Sequence, residues 1–193
     1  MMVSLTIFQN VADSPTLTTL AVIAEVLSVS VMLGVKSNAV DTFGAGPCPD
    51  LWFGIAPPRL HTFFDRLGDE GREAYSAVNR WDLFPYMISY TILLGSLLVR
   101  VARRAGVGEG IAHVMPVVLC CDFVETIILK RACDLFPELL DGRVVAIGSI
   151  ANQIKWILFA LSLGILAVLF AAGKNETTRK RQNKAVESNE KSK

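Results

Sequence analysis

The stretch VVAIGSIANQIKWILFALSLGILAVLFAAG, residues 144–173, contains thirty residues and a single charge, Lys155. A hydrocarbon core of about 30 Å requires ~20 mostly apolar helical residues, so this stretch can cross a bilayer with some tilt. The whole chain has the same character: its 193 residues are 52% hydrophobic and 19% charged, against roughly a quarter charged in an ordinary soluble domain. The stretch therefore predicts an integral membrane protein.

The balance of charges narrows the class of protein further. Nineteen Lys and Arg residues oppose eighteen Asp and Glu residues, for a formal net charge of +1. The chain has no basic excess of the kind that indicates a nucleic-acid partner, so we expect no such partner. The sequence contains two histidines, His61 and His113, and no zinc-protease, P-loop or dinucleotide motif. We therefore predict no metal site and no cofactor.

Three more apolar runs are bounded by charged residues in the same way. The first is opened by Ser14, a residue type that caps helix N-termini, and by Pro15, which is favoured at the first helical position. This run lacks the basic start of a secretory signal, so we expect it to be retained. We predict an all-α polytopic membrane four-helix bundle that forms one domain over residues 1–173, with spans at about 15–35, 83–104, 111–131 and 146–172.

The segments outside the predicted spans differ in composition. Residues 36–58 are rich in Gly and Pro and predict an irregular loop. Apolar residues recur at helical spacing over 59–80, with interruptions near Gly68 and Gly71, and predict an amphipathic helix. This helix would lie on the bilayer or cap the bundle, and a substrate gate is the alternative. Residues 174–193 have no apolar period and predict a disordered basic tail.

Basic residues in the short flanks predict the orientation of the chain. Arg100, Arg103 and Arg104 follow the second span, and seven further basic residues follow the fourth. Both flanks are therefore predicted to be cytoplasmic, and four crossings place the N-terminus on that side too. The sequence leaves open which membrane this is. Membrane lipid is the expected partner, with a second copy or another membrane protein as alternatives.

Each predicted span carries polar residues at steps of three and four, which places them on one face of its helix. A lone charge at mid-bilayer costs at least ~2.5–3.5 kcal/mol, so these faces should meet in one interior. We predict that Lys155 pairs with Glu125, with Asp122 as the nearest substitute. The candidate interior site comprises Glu25, Tyr86, Tyr90, Asp122, Glu125, Asn152 and Lys155.

Three functions fit such an interior. A polar network that fixes helix packing would suit a non-catalytic assembly or scaffold subunit of a membrane complex. A polar cavity would bind or pass a small molecule, an ion or a lipid. We favour this second function because apolar packing alone would hold the helices together at lower insertion cost. A carboxylic acid beside a carboxylate would suit acid–base chemistry in a lipid- or sterol-modifying enzyme.

The four cysteines occur in two contexts. Cys120 and Cys121 are adjacent within the third span and predict apolar packing. Cys48 and Cys133 are predicted to lie together on the outer side of the membrane. A disulfide between them is possible there if the compartment is oxidising.

A further set of motifs lies in the middle of the chain. Residues 67–75, Leu-Gly-Asp-Glu-Gly-Arg-Glu-Ala-Tyr, are followed by Asp82 and Pro85 and then by Asp122 and Glu125. Over residues 60–130 this order of motifs resembles small four-span integral membrane proteins of uncharacterised activity. The resemblance implies a four-helix membrane protein and no particular reaction.

Three polar residues of these motifs are candidates for an outer gate. Arg72 and Tyr75 share a helix face, and Asp82 stands where it would cap the second span. In such a gate Arg72 would meet Asp82 or an anionic head group. A packing contact between loop and helix is the alternative.

Overall fold

The computed structural model describes residues 2–36 and 42–190, with side chains at 5–34 and 42–172. Within these ranges the chain forms helices and no strand, which confirms the all-α prediction. Residues 37–41 of the predicted loop and 191–193 of the predicted tail lie outside the described part. The helices are α1 (Met2–Asp13), α2 (Pro15–Lys36), α3 (Pro57–Trp81), α4 (Met87–Ala105), α5 (Val114–Leu135) and α6 (Gly142–Glu190).

Four helical runs of the described chain are long and apolar enough to cross a membrane, as predicted. They are Pro15–Gly34, Pro57–Ala105, Glu109–Leu135 and Gly142–Ala172. The predicted N-cap of the first run is present, since the backbone N–H of Leu17 donates to Ser14 Oγ at 3.2 Å. Leu20, Leu27 and Leu33 on α2 are more than half exposed, which is the side-chain distribution expected of a surface that faces lipid.

The short helix α1 was not predicted, and it packs on α4. Phe8 is 2% exposed, and its ring lies where a Cβ on Gly95 of α4 would come within 2.7 Å. Arg100 of α4 donates to the carbonyl of Ala12 at 2.7 Å, and Arg103 forms ion pairs with Asp13 and with Glu109. We call this side of the molecule the arginine end.

The amphipathic helix α3 caps the other side of the bundle. Its apolar face is buried against residues 43–55 and the facing ends of α5 and α6. Phe63, Phe64 and Tyr75 stack edge to face with ring centroids 5.5–5.6 Å apart. Of the two predicted placements, the structure therefore shows the cap rather than a helix lying free on the bilayer. We call this side the cap end.

Helices α3 and α4 are joined without a break. Residues Asp82–Tyr86 form a π-helical turn around Pro85, and such turns arise where a proline leaves its backbone position without an N–H donor. Asp82 has helical φ and ψ angles of −61° and −51° and is 6% exposed. The prediction that Asp82 caps the second span is therefore wrong, because the preceding helix continues through it.

Two other predictions are corrected by the structure. Residues 174–190 continue helix α6 instead of forming a disordered tail; they contain no Gly or Pro, and adding residues to an existing helix avoids the cost of nucleation. The disulfide predicted between Cys48 and Cys133 is not formed in the part of the chain that the structure describes. Both are buried in the cap end, where the Cys133 thiol donates to the carbonyl of Arg72 at 3.5 Å.

Candidate functional site

A layer of buried polar side chains separates the apolar core of the cap end from that of the arginine end. On α5, Leu129 belongs to the first core and Val118 to the second. The polar layer lies between them along the helices. Its members, all less than 9% exposed, are Asp82, Tyr90, Asp122, Glu125, Thr126, Asn152 and Lys155.

Lys155 is the centre of this layer. Its ammonium nitrogen lies 2.5 Å from Glu125 Oε2 and 3.0 Å from Asp122 Oδ1. The ammonium therefore bridges the two acids, whereas the sequence predicted a pair with Glu125 and Asp122 as substitute. The spacing of Asp122 and Glu125 by three residues puts both on the face of α5 that looks toward α6.

The remaining oxygens of these two acids are also hydrogen-bonded. Tyr90 Oη donates to Asp122 Oδ2 at 2.7 Å, and Asn152 Nδ2 donates to Glu125 Oε1 at 2.7 Å. Each carboxylate oxygen of the pair thus has a donor or the ammonium beside it. A buried charge cluster needs such complete pairing to be tolerated in a low dielectric.

The loop before α3 folds inward onto this layer. The backbone N–H of Gly54 donates to Asn152 Oδ1 at 2.8 Å, and the indole N–H of Trp156 donates to the carbonyl of Asp50 at 3.2 Å. Gly54 has φ +87°, and a Cβ there would lie 2.7 Å from Gln153 Nε2. The positive φ requires a glycine here, because L side chains rarely adopt it, whereas the flexible end of Gln153 could move away from an added Cβ.

A cavity of about 110 Å³ adjoins the charged layer. One part of its wall is charged and another is aromatic. The charged part comprises Asp50, Asp82, Asp122 and Lys155. The aromatic part comprises Tyr86, Tyr90, Trp156 and Phe159, with Leu51 completing the lining.

Asp82 differs from the other two buried acids of the layer. Its carboxylate accepts a hydrogen bond from Thr126 Oγ1 at 3.1 Å. Among the ion pairs of the described residues, no cation lies within 4.0 Å of Asp82. Asp82 is therefore a buried carboxylate that lines open volume and has a hydroxyl group, rather than an ammonium, beside it.

The structure brings together most of the residues predicted for the interior site. Tyr90, Asp122, Glu125, Asn152 and Lys155 form the connected network, and Tyr86 lines the cavity.

Glu25 stands apart from this network. It is half-buried on α2 and accepts a hydrogen bond from Ser89 Oγ at 2.7 Å. It is not among the residues that line the cavity.

The predicted outer gate is not formed. Arg72 donates to the carbonyl of Phe64 at 2.9 Å, forms an ion pair with Asp69 and lies over the ring of Phe136. Tyr75 is 1% exposed in the apolar core of the cap end. The contact of Arg72 with Asp82 is absent because the π-helical turn directs Asp82 into the polar layer, so Asp82 belongs to the interior site instead.

Sequence reasoning missed four contributors to the site. Thr126 follows Glu125 directly, and its hydroxyl could have been assigned to the same polar face of α5. Trp156 and Phe159 read as ordinary apolar residues of a span, and the carbonyl of Asp50 carries no side-chain signal at all. Their roles depend on how the loop meets α6.

The fold and the site together define an all-α, multi-pass integral membrane protein with a charged interior. No known protein family, curated protein or solved structure matches the chain. Its function is therefore inferred from the geometry of the site.

Proposed function

We propose that this protein binds a small molecule at the polar site inside its transmembrane bundle. The observation that carries the proposal is the cavity of about 110 Å³ beside the charged layer. Concave sites with a mostly apolar lining and a few convergent polar groups are the usual form of ligand sites in proteins. This cavity has that form.

The hydrogen bonds support binding over a purely structural network. Lys155, Asp122, Glu125, Asn152 and Tyr90 satisfy one another. A scaffold would require no more than this closed set. Asp82, however, lies at the edge of the set and lines open volume, and intramembrane ionisable groups in such positions mark binding sites or pathways.

Native mass spectrometry of the protein purified from membranes in a mild detergent tests this proposal. We expect a bound small molecule on the wild type. Leu51 lines the cavity and is 51% exposed, so Leu51→Trp should fill the entrance and remove the bound mass. Leu139→Trp is the matched control, because Leu139 is 69% exposed at the cap end and does not line this cavity.

The proposal fails if the wild type carries no bound molecule and takes up none from a total membrane lipid extract. In that case a second measurement tests the alternative function, assembly with a partner protein. Loss of a larger complex in Glu25→Gln, measured by native electrophoresis, would show that the polar residues serve contacts with a partner.

A further inference from the structure

We infer that the ligand of this cavity is an amphiphile with a small cationic head group, an amine or a quaternary ammonium, and a single apolar tail. The head group would lie in the cavity beside Asp82, and the tail would follow the surface of α6. This inference rests on the proposed binding function and adds the chemical class of the ligand.

The charges of the site determine the sign of the head group. In the buried layer three carboxylates, those of Asp82, Asp122 and Glu125, face one ammonium, that of Lys155. Lys155 is already engaged by two of them. A cation beside Asp82 would supply a positive partner to a carboxyl group whose ionised form is costly at this depth. A phosphate or sulfate head would instead meet the carboxylates of Asp82 and Asp122, and the Lys155 ammonium on the same wall is already engaged by Asp122 and Glu125.

The aromatic wall favours the same kind of head group. Tyr90 packs edge to face with Phe159 at 6.0 Å between ring centroids, and Trp156 does so at 6.2 Å. Tyr86 continues the row beside Tyr90 at 5.4 Å. Aromatic rings attract organic cations through their quadrupoles, and aromatic cages with carboxylates recognise quaternary ammonium groups.

The size of the cavity limits what enters it. Its volume of about 110 Å³ is well below the ~300–1,000 Å³ of pockets that enclose drug-sized ligands. Only a head group fits inside. The rest of a larger ligand must therefore lie outside the cavity.

Apolar surface for a tail begins at the entrance. A neighbouring cavity of about 380 Å³ shares Leu51 and Trp156 with the first. An open apolar groove on the surface of α6 shares Ile157 and Ala160 with this second cavity and continues along the helix to Leu169. From Trp156 to Leu169 a helix rises ~20 Å at about 1.5 Å per residue. This length suits one extended alkyl chain lying among membrane lipids.

The test is binding of dodecyltrimethylammonium to the full-length protein in lipid nanodiscs, measured by native mass spectrometry and by calorimetric titration below the micellar concentration. We expect saturable one-to-one binding. Dodecanol, with the same tail and no charge, and tetramethylammonium, with the head alone, should each bind at least about tenfold more weakly. Nanodiscs without protein measure partition into lipid.

Two variants test the contributions of the head group and of the tail to binding separately. Asp82→Asn should weaken dodecyltrimethylammonium binding at least about tenfold, whereas Asp65→Asn, the same change at an exposed position on α3, should leave it unchanged. Ala160→Trp alters an exposed position on the groove and should weaken binding of the alkyl compound while leaving tetramethylammonium unaffected. It provides the test if Asp82→Asn does not fold.

The outcomes distinguish this inference from the proposed function. Equal binding of dodecanol, or an Asp82→Asn protein that binds like the wild type, would overturn the cationic head group. If a natural bound mass is still lost in Leu51→Trp, the cavity binds a ligand of another class. If no bound mass and no added amphiphile is detected on the wild type, both proposals fail.

Discussion

Lys155 is the residue on which the interior of this protein depends most. It lies 8% exposed between two acids of α5 and also 5.3 Å from the ring centroid of Trp156. Removing one partner of a buried ion pair costs about 3–5 kcal/mol, because the other charge remains without compensation. Here one substitution would leave two carboxylates behind.

Lys155→Met should therefore lower the free energy of unfolding by about 3–5 kcal/mol. The double variant Lys155→Met with Glu125→Gln removes one of the stranded charges and should recover part of this loss. The measurement is the thermal unfolding midpoint in detergent. Lys130→Met is the control, because Lys130 pairs with Asp134 at 2.5 Å on a partly exposed surface, and such pairs contribute about 0–1 kcal/mol. Additive losses in the double variant would contradict the shared ion pair.

Gly54 holds the loop against α6 at one position. Gly54 has φ at +87°. In Gly54→Ala the alanine would have to keep this left-handed conformation, which costs an L-residue about 1–2 kcal/mol. The bond from Gly54 N–H to Asn152 would weaken, and proteolysis within residues 42–56 should become faster. Gly110→Ala is the control, since nothing lies within 4 Å of its Cβ position. Equal proteolysis of both variants would show that the loop does not depend on this backbone geometry.

At the scale of elements, α1 and α4 pack through a glycine. Gly95 leaves room for the ring of Phe8, and Arg100 donates to Ala12 and to Thr18 Oγ1, each at 2.7 Å. The small side chain thus permits a close helix contact, as is common between membrane helices. The two arginine contacts hold the junction of α1 and α2 in place.

Gly95→Ala should displace α1, because the added Cβ would lie within 2.7–2.8 Å of the Phe8 ring. We expect a loss of about 1–3 kcal/mol from overpacking. The double variant Phe8→Ala with Gly95→Ala should lose less stability than the two single variants together, because the shortened side chain at position 8 leaves space for the added Cβ at position 95. Gly164→Ala, with open space around its Cβ, is the control. Thermal unfolding of all four variants checks the prediction, and additivity would contradict the contact.

At the scale of the whole molecule, crossings by the four candidate spans of the described chain would place both termini on one side of the membrane. The charge bias predicts that this side is the cytoplasm. The arginine end, with Arg103 exposed beside Glu109, would then face the cytoplasm, and the cap end would face the opposite compartment.

Two labelling experiments test this orientation. Residues Asn175-Glu176-Thr177 form a glycosylation sequon, and Asn175 should carry no glycan when the protein is made in microsomes. Asp65→Cys, on the exposed face of α3, should react with an impermeant maleimide from the side opposite to Asn175→Cys. A glycan on Asn175, or labelling of both cysteines from one side, would invert or abolish the predicted topology.

The apolar runs of the sequence predict the class of fold, and the spacing of its charges predicts that Lys155 pairs with Glu125, with Asp122 as the substitute. Hydrocarbon solvates neither backbone polar groups nor charges, so long apolar runs must be helices and Lys155 must face the acids of a neighbouring helix. The spacing of Asp122 and Glu125, three residues apart, sufficed to put both toward it. These inferences depend on local periodicity and on the cost of burial, which a sequence displays directly.

The position of the cavity, and the presence of Asp82 on its wall without an ammonium within 4.0 Å among the described ion pairs, follow from contacts between residues far apart in the chain. The π-helical turn at Asp82–Tyr86 directs Asp82 inward, and the loop closes on α6 through a bond between Gly54 and Asn152, 98 positions apart. Helix α1 packs on α4 because the ring of Phe8 occupies the space left by the absence of a side chain at Gly95. Each of these contacts joins a backbone group or a small residue to a distant partner, and such groups carry no periodic signal that a single sequence can reveal.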